Sequence, residues 1–157
     1  MRLAVLAAAG SAALLLAAFG FQHLGGLAPC PICLWQRWPH VVAIGAGLAL
    51  LPASRPVRTV LVALGGLAML AGAGIGLYHT GIERGWWPGP TACSGDTGSL
   101  TGLSGGDLLS LDSATPLVRC DEVAWSLLGL SMASWNMLAS LALAALWLYA
   151  ARRLSAA

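Results

Sequence analysis

Three stretches of this chain run for about twenty residues without a single Asp, Glu or Arg, and that limits the fold more than any other feature. Residues 3–21, 59–79 and 126–150 are uncharged at neutral histidine and mostly apolar or small, each near the length of ~20 residues that carries a helix across a bilayer. A fourth stretch, 38–53, is shorter and interrupted at Pro52; it reaches a usable length if its helix begins earlier, inside Cys30–Arg37. Unbroken apolar runs favour helices over the alternating strands of a membrane barrel, because lipid leaves every backbone polar group to be satisfied within the segment. The expected fold is an all-α membrane protein: one domain over residues 1–157, a four-transmembrane-helix bundle with outward loops at 22–37 and 80–124.

Composition points the same way. Of 157 residues, 58% are hydrophobic and 9% are charged, with a mean hydropathy of +0.79. A soluble domain carries about a quarter charged residues. Lys is absent, and the net charge of +2 is too small and dispersed for a phosphate-binding face. A cleaved leader is the competing reading of residues 1–20, given Arg2, an apolar run and Ala17-Ala18-Phe19-Gly20. The run is long for a leader's apolar core, so a span is preferred.

Arginine placement orients the bundle. Arg2, Arg55, Arg58, Arg152 and Arg153 flank one side, and Arg37, Arg84 and Arg119 the other. All six acids lie in the second outward loop. The arginine-rich side is expected to be cytoplasmic, with both termini there. All four cysteines then sit in the two outward loops, which in a bacterium face the oxidising periplasm of the inner membrane.

The second loop carries eight Gly and three Pro between Gly81 and Glu122, and loops of that length are usually functional. Trp86, Trp87 and Trp125 read as interfacial anchors. Ser104-Gly-Gly-Asp107 before Leu108, Leu109 and Leu111 is a weak capping signal for a short interfacial helix. Gly72 and Gly76 form a small-xxx-small face in the third span, read as intrachain packing.

The chemistry lies in the thiols. Cys30-Pro31-Ile32-Cys33 is a C-x-x-C motif, either a redox dithiol or half of a zinc site. Zinc wants a second close pair or a Cys/His knuckle, whereas Cys93 and Cys120 have 26 residues between them and no histidine nearby. No metal is expected. Structural disulfides are the stronger competing reading, but so short a ring is a poor staple because it removes little unfolded-state entropy. A helix starting inside the motif would also favour a thiolate there. Arg37 and His40 follow Cys33 by four and seven residues and share its face on a continuous helix. Pro39 implies either a kink or a second start after a break at Trp38. Taken locally, Arg37 is as well explained by snorkelling to headgroups, and His79 and His23 by structural hydrogen bonding. Glu83 and Arg84 read as a solvated loop pair.

These residues together resemble the DsbB family of disulfide-forming membrane proteins. The resemblance rests on Phe21-Gln22-His23, Cys30–Cys33, Arg37, Tyr78-His79-Thr80, Cys93, Cys120-Asp121-Glu122, Trp125 and Leu128-Gly129-Leu130. It covers nearly the whole chain, and the combination rather than any single motif carries it. It implies that the catalytic cysteines are Cys30, Cys33, Cys93 and Cys120. A thiolate of a periplasmic DsbA-like thioredoxin-fold partner would attack Cys93 and displace Cys120. Cys120 would engage Cys30, and Cys33 would face a membrane quinone, ubiquinone or menaquinone, held by Arg37 and His79. DsbA is itself a strong oxidant at about −120 mV, so its reoxidation needs a still more oxidising sink. Gln36 departs from the family pattern, standing where an acidic residue often precedes the Arg. The cysteine order fits less well with vitamin K epoxide reductase-like proteins. The alternative of another class is a membrane scaffold with bracing disulfides. Four cysteines allow three pairings, and the sequence does not choose among them.

Overall fold

The computed structural model describes residues 1–90 and 118–155. Helix α1 spans Arg2–His23, a short α2 Pro31–Trp35, α3 Arg37–Ala49 and α4 Arg55–Glu83; a two-stranded hairpin, β1 Ser126–Leu127 and β2 Leu130–Ser131, leads into α5, Met132–Ser155. Among the described residues, α1, α4 and α5 are long and apolar enough to cross a membrane. The chain is therefore a helical membrane protein.

The expected second span is where sequence and structure part. It is a 13-residue helix, Arg37–Ala49, rather than 38–53. The break before it falls at Gln36, not at Trp38 as expected. Pro39 explains the position: it has no N–H to donate, and its ring crowds the carbonyl four residues back. That carbonyl belongs to Trp35, the last residue of α2. The fourth span also begins later than expected, because residues 126–131 form the hairpin. Its two-residue turn places Leu128 at φ +53° and Gly129 at φ +77°, the paired positive angles of a tight hairpin turn.

The helices pack as an antiparallel cluster, α4 lying along α5 and α3, and α1 against α3 and α5. At the arginine-rich end the core is built from small residues around one large one: Ala4, Ala7, Ala46, Leu50, Val62 and Ala150 enclose Trp147, which is fully buried. Gly72 and Gly76 do serve intrachain packing. A Cβ on Gly76 would stand 3.0 Å from the Met137 backbone, and one on Gly72 3.2 Å from Pro39 and 3.3 Å from the Ser140 hydroxyl. Close backbone approach of this kind is how helices associate where the surrounding lipid is as apolar as they are.

Candidate active site

At the opposite end of the bundle, the loop after α1 delivers Cys30 as the N-cap of α2, with Pro31 in the first turn. Proline suits that position because its missing N–H would be unpaired there anyway. The Cys30 sulfur accepts the Cys33 backbone N–H at 3.2 Å, and the two sulfurs lie 2.8 Å apart with a hydrogen bond between them. The helix start expected inside the motif is thus present, and it gives the two thiols unequal surroundings.

Helix α4 contributes the third group. His79 is buried, with Nε2 3.6 Å from the Cys30 sulfur. The hydrogen bond from Cys33 does most to pull the Cys30 thiol down from its usual value of 9.0 to about 4, helped by His79 and opposed by burial. Sharing with Cys30, followed by burial, pushes Cys33 well above the ordinary thiol range. The shared proton and His79 together favour negative charge on Cys30 over Cys33. The Cys33 thiol, the Cys33 backbone N–H and His79 Nε2 all lie within reach of the Cys30 sulfur, the surroundings that lower a thiol's pKa.

Cys30, Ile32, Ile82 and Cys120 form one buried cluster. Cys30 and Cys33 are free thiols, and Cys120 is disulfide-bonded. Cys93 and the expected helix around residues 104–111 lie outside the described residues. Cys33 is less buried than Cys30, and both line a cavity of about 360 Å³ together with Gln36, Arg37, His40, His79, Glu83, Trp125 and Asn136; Leu14, Leu15, Ala18 and Phe21 of α1 supply much of its apolar wall. The Arg37 guanidinium stands 4.8 Å from the centre of the Phe19 ring. Arg37 therefore keeps to the face it was expected to share with Cys33 and His40, even across the break.

Two residues were misread or missed. Glu83, expected in a solvated loop pair with Arg84, has a side chain only 7% exposed and lies 4.0 Å from His79 Nε2. It accepts the Ser131 hydroxyl from the hairpin, which ties the end of α4 to β2, while Arg84 turns outward over Trp86. Asn136 was passed over. It donates to Gln36 Oε1 at 2.7 Å and meets His40 Nε2 at 3.0 Å. A lone amide in an otherwise apolar span was the available signal, since polar side chains at that depth are usually functional. Cys30, Cys33 and His79 offer donor atoms within 4.8 Å of one another. That is one ligand short of the four of a closed zinc site.

Membrane helices here hold an asymmetric, buried dithiol beside a third, disulfide-bonded cysteine, an arrangement suited to thiol–disulfide chemistry at a membrane. Sequence comparison gives the family: residues 1–150 match the model of "Disulfide bond formation protein DsbB", and the chain belongs to that family. A disulfide bond formation protein B of Polaromonas sp. is 33% identical over 96% of this chain and 91% of its own length. That of Methylococcus capsulatus is 36% identical over 85% and 83%, and that of Stutzerimonas stutzeri 32% over 91% and 90%. No solved structure matches. The protein is a disulfide-forming oxidoreductase of the membrane.

Proposed function

We propose that this chain reoxidises a periplasmic DsbA-like thiol oxidase and passes the electrons to membrane quinone, with both termini in the cytoplasm and the cysteine end facing the periplasm of a bacterial inner membrane. The observation that carries the reading is the unequal Cys30/Cys33 pair, set between the buried Cys120 and an apolar-walled cavity that both thiols line beside Arg37. A protein dithiol would enter from the Cys120 side, and an apolar acceptor from the cavity side.

The steps balance as thiol–disulfide exchange. A partner thiolate attacks Cys93, a mixed disulfide forms, and Cys120 leaves as thiolate. Cys120 attacks Cys30 of the oxidised Cys30–Cys33 pair, so a Cys30–Cys120 bond forms and Cys33 leaves. The partner's second thiol releases its own disulfide by attacking the mixed disulfide. Cys93, freed by that step, then attacks Cys120, which restores the outer disulfide and leaves Cys30 and Cys33 reduced. Quinone supplies a sink for the two electrons and two protons released when Cys30 and Cys33 re-form their bond. Arg37, permanently charged, would hold negative charge at the cavity, and His79 would donate from Nε2.

Replacing Cys120 with Ser should leave a free Cys93 thiolate that attacks the disulfide of an oxidised DsbA-like partner and traps a mixed disulfide with it, the partner's second cysteine leaving as thiolate. The purified protein with quinone should oxidise that partner catalytically. Failure of both would leave a membrane scaffold with structural disulfides.

A further inference from the structure

Four side chains, His40, Gln36 and His79 buried and Asn136 half-buried, form one continuous string across three helices that ends on the Cys30 sulfur. His40 Nε2 meets Asn136 Oδ1 at 3.0 Å, and Asn136 Nδ2 donates to Gln36 Oε1 at 2.7 Å. Gln36 Nε2 meets His79 Nδ1 at 2.8 Å, and His79 Nε2 meets the Cys30 sulfur at 3.6 Å. Each amide has one donating and one accepting end, and each neutral imidazole one of each. Fixing the direction of one bond therefore fixes all the others.

Both ends select the same direction. The Cys30 sulfur already receives the Cys33 backbone N–H and stands as an acceptor, so the imidazole facing it must donate from Nε2. His79 Nδ1 is then a lone pair that takes the Gln36 amide hydrogen, and the string runs back to an Nε2–H on His40. At that far end His40 Nδ1 is buried without a partner. In this direction it is a bare lone pair. In the opposite direction it would be a buried orphan N–H, a much rarer arrangement.

We propose that Gln36, Asn136 and His40 are positioning residues that lock His79 in its Nε2–H tautomer, aimed at Cys30. A carboxylate at position 36 could only accept, and would draw the hydrogen to Nδ1 instead; the neutral amide is what sets the direction. The inference rests on reading Cys30/Cys33 as a redox dithiol. The groups facing Cys30 are Cys33 from its own helix and His79 and Glu83 from α4, while Arg37, Arg119 and Glu122 line the adjoining cavity.

The test uses the reduced full-length protein in detergent, without quinone or partner. Histidine ring-nitrogen chemical shifts report the His79 tautomer, and thiolate ultraviolet absorbance against pH reports the Cys30 population. Wild type should show Nε2–H on His79. Asn136→Leu and Gln36→Leu should each mix the tautomers and lower the acid dissociation constant of Cys30 on the order of tenfold, the scale of one hydrogen bond to a charged group. The double variant should add little to either single one, because both cut the same string. Asn136→Asp, nearly isosteric, keeps the proposal testable if the leucine variants fold poorly: it still accepts from His40 but, ionised, cannot donate to Gln36. Nδ1–H in the wild type would overturn the proposal. So would an unmoved tautomer in folded Asn136→Asp. A wild-type Cys30 that titrates like an ordinary thiol would instead strike at the redox reading, leaving the tautomer result to stand by itself.

Discussion

The two ends of this bundle are built from the same helices but solve opposite problems. At the arginine-rich end, alanines and glycines let α1, α3, α4 and α5 close around Trp147 with almost no polar contact. At the cysteine end the same helices diverge around a cavity, and the contacts between them are polar: Gln36 with His79, Asn136 with Gln36 and His40, Thr80 with Ser134, and Glu83 with Ser131. Small residues permit close approach but provide no direction, whereas amides and imidazoles fix one geometry at the cost of close packing. Stability and chemistry have been placed at different depths of one helix bundle.

Breaking each end should therefore produce a different kind of loss. The largest effect belongs to Cys33→Ser, which should abolish quinone-dependent turnover with a DsbA-like partner. A single exchange at Cys93/Cys120 should remain measurable and the unfolding temperature should stay nearly unchanged; retained steady-state turnover would refute the electron route. Next comes Trp147→Ala, expected to lower stability by about 3–5 kcal/mol through the cavity it leaves while the surviving folded protein keeps its normal apparent KM for quinone. A changed KM there would mean that the two ends are coupled.

Smaller effects sharpen the contrast. Arg37→Ala should raise the apparent quinone KM by roughly tenfold, the worth of a lost charge-assisted hydrogen bond, with both disulfides still forming. An unchanged KM would return Arg37 to a headgroup contact. Titrating the reduced protein should reveal the Cys30 thiolate down to about pH 4. The sign follows from linkage: a thiol depressed on folding contributes stability that is full above its unfolded pKa near 9 and is lost as pH falls toward 4. Denaturation midpoints of the reduced protein should therefore drop across that window more than those of Cys30→Ser. Smallest of all, Gly74→Ala, where a Cβ meets open space, should be neutral or slightly stabilising, by up to ~1 kcal/mol, whereas Gly76→Ala pushes into Met137 and should destabilise.

Much of this was legible in the residues themselves. Unbroken apolar runs announced α1, α4 and α5, and arginine placement separated the two ends. Cys30-Pro31 announced a capped helix start, which needs only local backbone rules. What the sequence concealed were consequences of contact across helices. Glu83 reads as a loop acid until Ser131, 48 residues later, folds back over it. Asn136 gains meaning only because Gln36, 100 residues earlier, turns toward it. The shortened second span was foreshadowed by Pro39, but the break fell at Gln36 because the proline crowds the carbonyl four residues before it.

The Cys30 sulfur, a redox atom in the proposed relay, is also the N-cap of α2. A thiolate is a far better acceptor than a sulfur bound in a disulfide, so the cap is strong in the reduced state and weak in the oxidised one. Linkage makes this reciprocal. Whatever the first turn of α2 gains when Cys30 is reduced appears as a more positive reduction potential for the Cys30/Cys33 couple, at about 30 mV for every 1.4 kcal/mol. In the relay proposed above, a single backbone N–H would thus bias the direction of electron flow, drawing electrons inward from Cys120 by the stability of one helical turn.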